Sequence, residues 1–239
     1  MVGPAVLDAC VLVPISLCDV LLELADARLY QPLWSQTILD ETVRALVVKL
    51  GIPEEKALGR VDAMRRAFPE AMVSGHEHLI PELTNHPKDR HVLAVAVHVG
   101  CGTIVTADAP GFRASTLETH QVTAVHPDAF LLGLTDNDPE AVRAVVERKR
   151  RLYRHPPLGM DVLCARLGKS VPRFASRLLA MDTAFDGPGR QRAQGGPDSP
   201  GVPLAPRSAS GADATTPEQP PLPAARNALQ RSLPRRIVG

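Results

Sequence analysis

The feature that most restricts this chain is a short apolar run ending on an acid, which occurs twice. Ala5-Val6-Leu7 stops at Asp8, and Thr103-Ile104-Val105-Thr106 stops at Asp108. Both runs are too short for a helix and have the aliphatic, β-branched content of buried strands. Around them strand and helix patterns alternate. Leu17 to Leu29 reads as helix, and Gln31 to Trp34 as a strand interrupted by Pro32. Gln36 to Leu50 places Leu39, Val43, Leu46 and Leu50 on one helical stripe, with Gly51 as its end. Pro53 opens another helix that Pro69 stops, Lys88 to Val99 is a helix closed by Gly100, and Val122 to Val125 is the last strand expected. Short strands separated by helices pair in parallel through crossovers, so the expected class is α/β.

From Asp138-Pro139 the pattern is helical only. Asp138 is a good N-cap with proline at the first helical position, and this helix is expected to run to about Arg154, where Pro156-Pro157 breaks it. Shorter amphipathic helices follow at Asp161–Leu167 and Pro172–Met181. Residues 187–239 hold ten of the 23 prolines, together with much Gly, Ser and Arg. Such a segment buries too little apolar area to offset its conformational entropy, and disorder is expected there. The organisation expected is therefore residues 4–130 as the α/β unit, 131–186 as a helical extension and 187–239 as a tail.

Charge follows the same division. The net charge of +1 is the balance of −6 over residues 1–130, +3 over 131–186 and +4 over 187–239. Aromatics at 3% disfavour a base-stacking sheet. Cys10, Cys18, Cys101 and Cys164 show neither a CxxC pair nor zinc spacing, and read as reduced thiols of a cytoplasmic protein. The apolar amino terminus lacks a basic leader and is interrupted by Asp8 and Asp19, so neither a signal peptide nor a membrane span is expected.

Four carboxylates stand out by position. Asp8 and Asp108 lie at the carboxyl ends of expected strands, the edge at which open parallel sheets bind ligands, although aspartate is also a common turn former. Asp89 projects between Val92, Leu93 and Ala96 on the apolar face of its own helix. An inward carboxylate there needs backbone N–H groups, a cation or a metal. Glu41 lies opposite the Leu39/Val43/Leu46/Leu50 stripe, so periodicity alone makes it a solvated surface acid. Several carboxylates at one sheet edge cannot all stay ionised without a cation, and hard oxygen donors suit Mg²⁺ or Mn²⁺.

The segments VLDACVL (Asp8), SQTILDETVRAL (Ser35 to Leu46, with Glu41), PKDRHVLAVAV (Asp89) and TIVTADAPGF (Thr106, Asp108, Phe112) resemble, in order and spacing, the PIN-domain nucleases, above all the VapC-type toxins of type II toxin–antitoxin systems. The resemblance covers about residues 4–130, and the helical stretch beyond looks like an extension carried by one subgroup. It implies a PIN-like three-layer α/β/α fold around a central parallel sheet. It also implies a Mg²⁺- or Mn²⁺-dependent endoribonuclease in which Asp8, Glu41, Asp89 and Asp108 form the acidic quartet. Asp8 and Asp108 would hold the ion most directly, with Thr106, Ser35 or Asn85 steadying the ligating oxygens by hydrogen bonds. The implied partners are an RNA substrate, a cognate antitoxin protein and, by analogy, a second copy in a homodimer. Two departures concern auxiliary ligands. Gly111 stands where another Asp often precedes the aromatic, and His86 stands where an acid sometimes precedes the proline.

His86 and His91 read as solvent-exposed histidines. Arg143, Arg148, Lys149, Arg150, Arg151 and Arg154 lie largely opposite Val142, Val145 and Val146 on one helix, which makes them either a phosphate grip or a solvated helix face. A haloacid-dehalogenase-type phosphatase would need an acid where Cys10 stands, and a receiver domain a second acid beside Asp8. The alternative to a nuclease is a non-catalytic PIN-like binding or scaffold protein.

Overall fold

A computed structural model describes residues 2–152 and 159–185. Five strands form one parallel sheet: β1 (Pro4–Leu7), β2 (Gln31–Ser35), β3 (Met72–Val73), β4 (Thr103–Val105) and β5 (Thr123–Val125), in spatial order β3-β2-β1-β4-β5. Val6 is registered with Leu33 on one side and with Ile104 on the other. The chain winds outward from β1 to β3, then returns to the far side of β1 for β4. Strand order therefore reverses between β1 and β4. Crossovers between parallel strands are right-handed as a rule, which puts the helices on either side of such a switch point on opposite faces. The expected α/β class with a central parallel sheet is observed.

The helices of the first half are α1 (Ala9–Leu12), α2 (Ile15–Asp26), α3 (Gln36–Leu50) and α4 (Glu54–Ala67). The return crossover carries α5 (Arg90–His98), which packs on β1, β2 and β4, and α6 (Ala114–Leu117) precedes β5. Gly51 ends α3 at φ 63°, a left-handed cap that costs glycine little. Pro32 is tolerated inside β2 because β3 pairs only with Trp34 and Ser35, leaving that flank of Pro32 an edge. Trp34, fully buried, meets Phe68 edge-on with ring centroids 6.0 Å apart.

Several boundaries depart from the sequence reading. The second helix stops at Asp26, because Arg28 adopts φ 62° before β2 begins. The segment expected as helix from Lys88 begins instead with a 3₁₀ turn over Pro87–Asp89. Strand β3, two residues long, carries no periodic signal of its own.

After β5 come α7 (Pro127–Asn137), α8 (Pro139–Leu152), α9 (Met160–Leu167) and α10 (Pro172–Phe185). The helix α7 was not anticipated, and it runs across the expected 130/131 boundary. The hydrophobic core is continuous from Ala5 to Leu178. Phe130 of α7 packs edge-on against Tyr30 at 5.0 Å, and the Tyr30 hydroxyl donates to the Leu21 carbonyl. Asp128 accepts hydrogen bonds from the backbone N–H groups of Phe174 and Arg173, closing the first turn of α10 onto α7. Asp138 accepts from the N–H of Ala141, as its expected cap role requires. The expected disordered tail (187–239) and Arg154 lie outside the described residues. Among the described residues, no helix is long and apolar enough to cross a membrane.

The extension is joined to the first unit by buried ions. Asp19 of α2 pairs with Arg60 of α4 at 3.2 Å and with Lys149 of α8 at 3.4 Å, each side chain being less than 10% exposed. Arg148 reaches Glu23 and Asp26 of α2, and Arg150 pairs with Glu147 and Asp182. For Lys149 this corrects the surface placement expected of the basic run. Lys149 is buried and cannot face RNA, while Arg148 and Arg150 direct their charge to carboxylates.

Candidate active site

Three of the four acids come together where the strand order reverses. Asp8 follows β1, and its backbone N–H donates to the Val105 carbonyl of β4. Asp108 follows β4 by three residues. Asp89 closes the 3₁₀ turn before α5, which packs across both strands. Asp8 and Asp89 are buried, 6% and 7% exposed, whereas only about a third of the Asp108 side chain is exposed.

Thr106 ties two of these acids together. Its hydroxyl donates to Asp8 Oδ2 at 2.7 Å and accepts the backbone N–H of Asp108 at 3.0 Å. Of the three residues expected to steady the acids, Thr106 does so directly. Ser35 instead caps α3, accepting the N–H of Ile38. Asn85 is buried with neither side-chain atom hydrogen-bonded, and its carbonyl accepts from Arg90 Nε. If the acids hold Mn²⁺, the Thr106→Val variant is expected to lose about 10–100-fold in affinity for it, measured by titration calorimetry, because Asp8 then loses the donor that orients it.

Two contacts here escaped the sequence reading. The Cys10 thiol donates to Asp8 Oδ2 at 3.1 Å, and its sulfur accepts the N–H of Ala107. Burial, with the Asp8 charge beside it, pushes this thiol up to about 12. The second is Lys88, whose ammonium lies 2.6 Å from Asp108 Oδ2 and 4.0 Å from Asp89 Oδ2. The hydrogen bond from Lys88 holds the Asp108 carboxyl below the usual carboxylate range. Burial raises that of Asp89; Lys88 opposes the rise, and the charges of Asp8 and Asp108 add to it. No sequence period marks Lys88 or Cys10. Their only signal is adjacency, one residue before Asp89 and two after Asp8.

Glu41 enters less directly. It is one-third exposed, and its carboxylate lies 3.3 Å from His91 Nε2, on the first turn of α5. The expectation of a solvent-exposed His91 is corrected: packing of α3 against α5 buries this ring and presents it to Glu41. His86 is exposed as expected, with Nδ1 3.6 Å from Asp89 Oδ2.

Gly111 has a steric reason. A Cβ placed there would run into the carboxylate of Asp89, with its carboxyl carbon 2.8 Å away. The space that a side chain at 111 would need is taken by Asp89. Gly111→Ala is therefore expected to displace that carboxylate with thermal unfolding little changed and, if the site cleaves RNA, to lower cleavage about 10–100-fold; cleavage unaltered in such a chain would show that the position of Asp89 is not critical.

The donor set suits a hard divalent cation. It consists of carboxylate oxygens, and Asp89 Oδ2 is buried without a hydrogen-bond donor. Among the described residues, no three His, Cys, Asp or Glu side chains already stand in ligating geometry. Lys88 supplies positive charge at the cluster.

Residues 127–180 match the family described as the VapC50 C-terminal domain. Over 107 residues the chain is 40% identical to the protein of Mycobacterium tuberculosis (strain ATCC 25618 / H37Rv) named "Putative ribonuclease VapC50". The chain is thus similar, over part of its length, to a VapC-named protein. The aligned stretch is 45% of this chain and spans 63% of the length of that VapC relative. No solved structure matches the chain. The VapC50 C-terminal match begins at the first residue of α7.

Proposed function

We propose that this chain is a divalent-metal-dependent endoribonuclease, the toxin of a type II toxin–antitoxin pair. The observation that carries this reading is the convergence of Asp8, Asp89 and Asp108 at the reversal of strand order, with a buried oxygen of Asp89 left without a donor. The relative's name, which includes the word ribonuclease, supports it.

In this reading Asp8, Asp89 and Asp108 hold a Mg²⁺ or Mn²⁺ ion, and Glu41, positioned by His91, completes the acidic set. A bound divalent cation supplies Lewis acidity, activating water and offsetting charge that builds on the phosphate. Thr106 and Cys10 both engage Oδ2 of Asp8, which leaves Oδ1 free to ligate. The buried carboxylates exclude bulk water from one side of the site and strengthen its field. RNA is the substrate, a basic antitoxin segment would block the acidic edge, and a homodimer is the working assembly. We further propose that the nuclease unit ends near residue 126 and that the helical unit begins with α7.

Incubating the full chain with a mixed-sequence RNA and Mn²⁺ tests the reading. Cleavage that EDTA abolishes is expected, and intact RNA across a range of Mn²⁺ concentrations would overturn it. A non-catalytic binding role is the second reading. The observation in its favour is Lys88, which already offsets charge at the cluster without a metal ion. Calorimetric titration of Mn²⁺ into wild type and Asp8→Asn separates the two: equal, negligible binding in both favours the scaffold.

A further inference from the structure

The basic run of α8 read as either a phosphate grip or a solvated helix face, and in the structure Lys149 is buried on Asp19 while Arg148 and Arg150 face carboxylates. Among the described residues, the acidic edge carries a partly exposed cation, Lys88, with the charge and reach that a phosphate contact needs. We propose that Lys88 is the phosphate-binding residue of the carboxylate site, resting on Asp108 until RNA arrives; this inference rests on the nuclease reading above.

Three features support it. The backbone of Lys88 is fixed in the Pro87–Asp89 turn, where its N–H donates to the ring of His86. The proline presets φ, so the base of the side chain is anchored. The stem and ammonium are not, since the side chain is 59% exposed. An ion pair in such contact with water is weak and exchanges readily. Finally, the ammonium touches Asp108 and approaches Asp89, two of the oxygens to which a divalent cation would bind. The two cations compete for the same carboxylates and repel one another. A cation on the acids therefore drives Lys88 outward, within reach of a phosphate brought to that edge. Lysine suits this exchange better than arginine, because its compact point charge on a flexible stem does not lock into a bidentate pair with Asp108.

One side chain thus acts in opposite directions on two ligands, a signature that a structural role does not produce. Lys88→Met is expected to tighten Mn²⁺ binding to the full chain about 3–10-fold in calorimetry, because a competitor is removed. The same variant is expected to weaken a fluorescein-labelled U₁₂ oligonucleotide about 5–10-fold by anisotropy in Ca²⁺. Its log–log salt dependence should flatten by about 0.7, the share of one phosphate contact on a single strand. Lys88→Arg should recover RNA binding only in part, since it keeps the charge but pairs more firmly with Asp108. The inference is overturned if either constant stays within twofold of wild type, or if both ligands weaken together, as distortion of the site would cause. A wild-type chain that binds neither Mn²⁺ nor the oligonucleotide removes the nuclease reading and this inference with it. A wild-type chain that binds both, with Lys88→Met unchanged, removes this inference alone.

Discussion

In the nuclease proposed above, Asp8→Asn is expected to reduce Mn²⁺-dependent RNA cleavage by on the order of 10²–10⁴-fold, the range that follows loss of one charged group acting on the reacting atoms. The substitution is close to isosteric, and an amide oxygen can still accept from Thr106 and Cys10, so the backbone has no reason to move. What disappears is charge. Mn²⁺ affinity should fall in calorimetry alongside kcat. The raised carboxyl of Asp89 should also relax toward its ordinary value, because the Asp8 charge is one of the contributions holding it up. Titration of Asp89 by NMR in the metal-free protein reads this without any turnover. Cleavage retained within tenfold of wild type would show that the chemistry lies elsewhere.

The second large effect is on stability. Asp19→Ala removes the shared partner of Arg60 and Lys149 and leaves two cations buried without it. Breaking a buried pair by deleting one partner costs about 3–5 kcal/mol. At roughly 2–4 °C per kcal/mol for a chain of this size, Tm should drop by about 10 °C. Asp62→Ala is the comparison, because the Arg65–Asp62 pair is exposed and i,i+3 on one helix. That loss should stay within about 0.5 kcal/mol. Adding Lys149→Met to Asp19→Ala should recover part of the deficit, since it removes one of the buried cations that Asp19 balanced. Equal midpoints for Asp19→Ala and wild type would mean that water reaches this cluster.

Much of the architecture was legible because strand and helix periods differ and because each long strand ends on a residue of opposite character. Apolar Ala5–Leu7 against Asp8 marked both a strand and the edge of its sheet. Asp89 was legible as an inward acid because the apolar stripe of Val92, Leu93 and Ala96 projects back onto it, although it closes the turn before α5. Strand β3 was not, since two residues cannot display a period. The helix α7 was hidden because its first residues follow β5 almost directly, and its proline reads equally well as a turn.

The misreading of the basic run is more instructive. Lys149 lies seven residues after Val142, four after Val145 and three after Val146, on the same stripe. Arg60 stands likewise between Ala57 and Met64. Charges on apolar stripes are the local sign of a buried partner, but the partner itself, Asp19, is 41 residues from one and 130 from the other. Pairing across such separations is decided by tertiary packing, which helical periodicity does not encode. The same holds for Glu41, whose exposed phase on α3 was correct as far as it went. Only the packing of α5 supplies His91 to meet it.

The Asp19 cluster also limits how these segments can be exchanged. Its carboxylate and one guanidinium come from the first unit, and the ammonium that completes it comes from the second. A chimera that grafts onto residues 4–126 a helical unit lacking a cation at position 149 would inherit an intact apolar seam around Tyr30 and Phe130. Its ionic balance, however, would be broken. On the division proposed above, a helical unit grafted onto residues 4–126 would need a cation at the position of Lys149 to balance Asp19 before any fit of surfaces could matter.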